Sequence, residues 1–135
     1  LKTYPDKTVF GWPGDDGIGE MLIQQIIAGK KTATCSFKEE YSEQELNDLI
    51  ATKGKVVTVE DHSGMSRCNI KIIDIFETKF GDPDPRLIKG EYNGGDVQKF
   101  QEDHRHAWNQ TVKDKNLTDD TVLIVELFKL IEVKQ

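Results

Sequence analysis

Residues 121–133 constrain the fold more than any other stretch. Val122-Leu123-Ile124-Val125 is followed by Leu127, Phe128, Leu130 and Ile131. In an extended strand, successive side chains point to opposite faces, so this run is apolar on both. Such a strand has to lie centrally in a sheet or barrel, with cover on each side.

The remaining segments supply partners for it. Residues 56–61 form a short β-branched run, and His62-Ser63-Gly64 makes a turn. Arg67, Asn69 and Lys71 then alternate with Cys68, Ile70 and Ile72, the pattern of a half-buried strand. The alternation gives way to Ile73, Ile75 and Phe76, which predicts a hairpin whose second strand bends, as at a barrel corner. Ile18, Leu22 and Ile26 recur every four residues beside Met21, Ile23 and Ile27, giving a helix over 18–28 with a wide apolar face. Asp15 and Asp16 suit its positive end. Ser42 and Glu45 make a capping box for a short helix that Gly54 ends. Asp82-Pro83-Asp84-Pro85 signals a turn and a brief helix over 86–89. Asp96 caps a second long helix, to about residue 115, in which Phe100, His104 and Trp108 share one packing face.

The expected architecture is a single α+β domain over residues 1–135. About five strands form a strongly twisted sheet or small β-barrel, with two main flanking helices. Residues 1–16 are expected to be an irregular arm whose aromatics, Tyr4, Phe10 and Trp12, pack over the core.

Composition narrows the function. The chain has 135 residues and a formal net charge of -6. Non-specific binding to duplex DNA needs many cationic contacts to phosphates and is not expected, though a local basic pocket remains open. There is no G-x-G-x-x-G and no P-loop, and no apolar run approaches a membrane span. Cys35 and Cys68 form no C-x-x-C and are read as buried, reduced thiols of a cytoplasmic protein. His62, His104 and His106 make no ligand pattern with them, so neither metal nor cofactor is expected.

The stretch with the most chemical content is Gly29-Lys30-Lys31-Thr32-Ala33-Thr34-Cys35-Ser36. Gly29 suits a helix terminus. In a strand, the hydroxyls of Thr32, Thr34 and Ser36 share one face, opposite Ala33, Cys35 and Phe37. A lysine beside a row of hydroxyls makes a shelf for an anion or polar ligand. The same residues also suit a basic helix end and an ordinary edge strand. Gly90-Glu91-Tyr92-Asn93-Gly94-Gly95 is a loop able to approach a ligand closely, with Glu91 as its candidate acid.

Taken together, the motifs resemble the ASCH domain of the PUA-like superfamily. They are the Gly-Lys-Lys-Thr-Ala-Thr block, Gly54-Lys55-Val56-Val57 with the Gly64 turn and Cys68 strand, Phe80 with Ile88–Glu91, Phe100 and His104, and Val125-Glu126-Leu127-Phe128. The resemblance runs from about Phe10 onward. It implies a β-barrel with flanking helices and a cleft beside the helix that ends at the lysines. It also implies binding of RNA or a nucleoside. One branch with a similar block removes the acetyl group from 4-acetylcytidine, and its catalytic set corresponds to Lys31, Thr34 and Glu91. Many relatives carry an acidic Glu-Gly-Glu-Gly-Asp stretch and then Trp-Arg, where this chain has Glu91–Asp96 and Phe100-Gln101.

Two functions from different classes are therefore expected. As a binding module, Lys30 and Lys31 would meet a phosphate or base carbonyl, with Thr32, Thr34 and Ser36 lining the cleft. Trp12 or Tyr92 would stack a base, and Glu91 and His104 would complete the site. As an amidohydrolase, Thr34 would be the nucleophile, Lys31 its proton acceptor and Glu91 the proton donor. That chemistry requires a lysine pKa lowered by burial and a glutamate pKa raised. A direct Lys31–Glu91 ion pair would oppose both shifts. A protein-interaction domain without a ligand is a third class, which no particular feature of the chain supports.

Overall fold

The structure is a computed structural model that describes residues 1–91, 96–111 and 117–134, the side chains of residues 109–111 excepted. In chain order the elements are β1 (Lys7–Phe10), α1 (Ile18–Ile27), β2 (Ala33–Phe37), a 3-10 turn (Lys38–Glu40) and α2 (Glu43–Ile50). They continue with β3 (Val56–Asp61), β4 (Ser66–Lys79), α3 (Pro85–Gly90), α4 (Val97–Thr111) and β5 (Val122–Val133). One mixed five-stranded sheet has the order β1-β3-β4-β5-β2. β1 runs parallel to β3, and the other pairings are antiparallel.

The strand that is apolar on both faces, β5, is internal and lies between β4 and β2. Ile72, Ile70 and Phe128 pack with Ile23 and Ile26 of α1 on one face. Leu123 and Val125 pack with Ala33, Phe37, Leu87 of α3 and Phe100 of α4 on the other. The bend expected after Ile72 is a pairing irregularity between Ile72 and Asp74. Inserting one residue there turns the strand, so Phe76 joins the second core although Ile72 belongs to the first.

The α+β class and five strands are as the sequence predicts, but the sheet stays open. β1 and β2 are its two edges and do not pair with each other. The N-terminal arm differs too: residues 7–10 are a strand, not irregular chain. A buried polar relay secures that side. Thr58 donates to Asn69 Oδ1 at 2.8 Å and accepts from the Tyr4 amide, while Asn69 Nδ2 donates to the Lys2 carbonyl. Phe10 does enter the core.

Helix α1 starts where Asp15 accepts from the amides of Trp12, Gly17 and Gly19. The bond from Gly19 foremost holds its carboxyl below the usual carboxylate range. A Cβ on Gly19 would lie 2.4 Å from the Gly11 Cα, so this glycine lets the helix press on the end of β1. The apolar face is narrower than expected, since Met21 is 51% exposed. The capping box on α2 forms as predicted.

Candidate functional site

The Gly-Lys-Lys turn aims one lysine inward. Gly29 takes a positive φ of 76°, and the amides of Lys30 and Lys31 both donate to the Gln25 carbonyl. This winds the chain tightly off the end of α1. Lys30 is exposed and is not among the residues that line the cavity described below. Lys31 is 2% exposed. Its ammonium donates to the Ala33 carbonyl at 2.6 Å and pairs with Glu91 Oε2 at 3.0 Å.

Glu91 reaches this lysine because α3 packs directly on β2. The Thr32 amide donates to the Gly90 carbonyl at 2.7 Å, and a Cβ on Gly90 would lie 2.4 Å from the Ala33 Cβ. Only glycine fits there. Thr32 serves through its backbone, is itself exposed, and is absent from the cavity wall where the hydroxyl row had placed it.

From α4, His104 turns toward the same carboxylate. Its Nδ1 lies 2.8 Å from the Phe100 carbonyl, and its Nε2 lies 3.5 Å from Glu91 Oε2. A carbonyl oxygen only accepts, so Nδ1 carries the hydrogen. The ring also sits between Phe100 and Trp108, at centroid distances of 4.2 and 4.9 Å. His104 is thus both a packing residue and a partner of Glu91.

Burial by itself would push the Glu91 carboxyl up. The Lys31 ammonium and the His104 contact outweigh it and hold the group at about 2. Its Oε1 is buried with no hydrogen-bond partner among the described residues. Cys35 lies beside it, and burial together with the Glu91 charge drives that thiol well above its usual range.

Cys35, Glu91 and His104 therefore offer three ligand atoms within 4.8 Å of one another. The sequence reading, in which the histidines make no ligand pattern with the cysteines, did not find this grouping. They arrive from β2, the end of α3 and α4, which linear spacing cannot show. The Lys31 ammonium already neutralises the carboxylate, and its charge opposes a divalent ion at the same spot.

A cavity of ≈ 900 Å³ opens over this edge of the sheet. Lys31, Thr34, Cys35 and Ser36 line it from the β2 side, Thr8, Val9 and Phe10 from β1, and Trp12 from the loop that follows. The two unpaired edges of the open sheet thus both face it, and it occupies the seam that a closed barrel would lack. Strand alternation sends Cys35 into the α3–α4 core and Thr34 to the opposite face, where its ladder partner is Glu126 of β5. Ser36 shares that face, and its hydroxyl lies 2.7 Å from the Tyr41 hydroxyl. The lysine's ammonium hydrogen bond and ion pair go to Ala33 and Glu91, and neither goes to Thr34. Glu126 and Tyr41 also line the cavity, as does Trp108. Neither Glu126 nor Tyr41 was singled out from sequence. The available signal for Glu126 was its place as the one polar residue in the run 122–128. Tyr92 lies outside the described residues.

Fold and site together define a small α+β domain with a ligand-sized cleft at an open sheet edge. The chain belongs to the ASCH domain family: the family model matches residues 10–132. Two solved structures share the fold. Protein EF3133 from Enterococcus faecalis V583 superposes with a TM-score of 0.78 at 16% identity, over 98% of this chain and 80% of the other. An ASCH domain from Lactobacillus crispatus JV V101 gives 0.74 at 20% identity, over 96% and 82%. No curated protein matches. Among the described residues, no helix is long and apolar enough to cross a membrane.

Proposed function

We propose that this ASCH domain binds a nucleoside, or a single unpaired base of RNA, in the cleft between β1 and β2. The cavity carries the reading. Its ≈ 900 Å³ is in the range of small-ligand sites, and its wall combines indole rings with hydroxyl and carboxyl groups. Aromatic faces suit base stacking, and the polar groups suit a base edge or ribose. With net charge -6, a recessed base is a better match than a duplex backbone.

The hydrolase alternative has a narrower basis. Thr34 does line the cleft. The Lys31–Glu91 pair, however, opposes both proton-transfer roles implied by the family resemblance. Glu91 is held ionised at neutral pH and so has no proton to donate. The ammonium of Lys31 is engaged by a carboxylate and a carbonyl. Binding therefore ranks first.

The test is a titration of ¹⁵N-labelled protein with cytidine, 4-acetylcytidine and a short single-stranded RNA. Amide shifts are expected at Trp12, Thr34 and Ser36. Trp12→Ala should weaken binding by about 1–3 kcal/mol if the indole stacks a base. Absence of shifts with every ligand, or shifts confined to the α2 side, would remove the reading. Hydrolysis of 4-acetylcytidine that is lost in Thr34→Ala would reinstate the enzyme. Lys31→Ala is the wrong probe, because loss of the ion pair threatens the fold itself.

A further inference from the structure

The cleft holds two glutamates in opposite electrostatic situations. Glu91 is neutralised by Lys31. Glu126 lies directly across the β2–β5 ladder from Thr34 and lines the cavity. Among the described residues no ion pair or hydrogen bond holds its carboxyl. Its strand neighbours on that face, Ile124 and Phe128, are buried and apolar.

We propose that Glu126 is the residue that reads the ligand, presenting an uncharged carboxylic acid with one donor and one acceptor to a base edge of complementary pattern. A ring nitrogen beside an exocyclic amine, as in cytosine, is such an edge. The inference rests on the nucleoside-binding reading of the same cleft and names the group that recognises the base.

The surroundings favour the acid form below about pH 7. Burial pushes the Glu126 carboxyl up to about 7. The Glu126 charge is felt by Cys35 on β2 and by Tyr41 after the 3-10 turn, and burial raises both of these as well. The charges that share the cavity are the Lys31–Glu91 pair at the start of β2 and, on α4, Lys99 and Asp103 with the titratable His104 and His106. Among the described residues none of these forms an ion pair with Glu126. A carboxylic acid on the same face as Thr34 and Ser36 completes a row of groups that can each both donate and accept.

The experiment measures cytidine affinity at pH 6.5 for the wild type, Glu126→Gln and Glu126→Met. It adds 3-methylcytidine, in which the ring nitrogen is blocked and the base is cationic. A carboxamide keeps one donor and one acceptor, so Glu126→Gln should bind cytidine within about threefold of wild type. Glu126→Met should bind at least about tenfold more weakly, as expected when a polar base edge is left unpaired. Wild type should prefer cytidine to 3-methylcytidine. A Gln variant as weak as the Met variant, or tighter binding of the cationic base, would mean that an ionised carboxylate does the work and would overturn the inference. Wild-type binding that Glu126→Met leaves unchanged would overturn it alone. Wild-type protein that binds no nucleoside would remove the binding reading and this inference with it. Amide spectra of the variants check that each is folded.

Discussion

Lys31 and Glu91 form an ion pair withdrawn from water, and such pairs are far harder to break than to replace. Removing the lysine leaves a carboxylate in an apolar setting. Lys31→Met should therefore destabilise the domain by about 3–5 kcal/mol in urea unfolding. Lys31→Met combined with Glu91→Gln should recover much of that loss, since no buried charge remains. If the double variant is as unstable as the single one, the ion pair is not the reason for the loss. The acid limb of stability follows from the same pair. Glu91 is lowered from an ordinary 4.5 to about 2, so its contribution is full above about 4.5 and is lost as pH falls toward about 2.

Glu126 has the opposite sign. Its folded carboxyl is raised to about 7 from 4.5. Between those values the unfolded chain ionises while the folded one keeps its proton, so stability falls as pH rises. Above about 7 the cost is constant, at up to about 3 kcal/mol. Glu126→Gln removes this titration. Its stability relative to wild type should increase between pH 5 and pH 8, and a difference independent of pH would show that the carboxyl titrates normally.

At the scale of elements, the site depends on one glycine turn and two close contacts that side chains would prevent. Gly29 turns the chain off α1 at a positive φ, while Gly19 seats α1 on the end of β1 and Gly90 seats α3 on β2. Gly90 is the most telling, because its contact with Ala33 sets how far Glu91 reaches. Gly90→Ala should cost about 1–3 kcal/mol by overpacking and should shift the His104 and Cys35 resonances as α3 moves away. An unperturbed spectrum would show that α3 is not held where the packing requires. These contacts explain an uneven fit between sequence and site. The helix, the turn and the strand of residues 18–37 follow from local signals, namely a four-residue apolar repeat, a glycine and an alternation. Which strand face meets which helix follows from none of them. For that reason the hydroxyl row looked like one shelf, whereas Thr32 is spent on tying β2 to α3 and Cys35 stands beside Glu91.

Across the whole molecule, the sheet separates two cores, one under α1 and one under α3 and α4. β4 and β5 contribute to both and pair along most of their length. Their central amides should exchange slowest with deuterium, while those of β1, a four-residue edge strand, should open first. Slower exchange in β1 than in β5 would contradict this account of where stability resides. Cytidine should slow exchange in both edges, because the cleft is bounded by β1 and β2 together.

What the sequence by itself determined is the main helices and strands from α1 onward and the centrality of β5, since hydrophobic period and glycine placement act over a few residues and need no distant partner; the edge strand β1, which exists only by pairing with β3, was not among them. It also carried the family resemblance, which the match over residues 10–132 bears out. The open edges of the sheet, the pairing of Lys31 with Glu91, and the position of Glu126 opposite Thr34 were decided only in the tertiary structure. Each joins groups tens of residues apart, and the charge state of a carboxyl depends on whether folding brings a cation to it or leaves it among apolar neighbours.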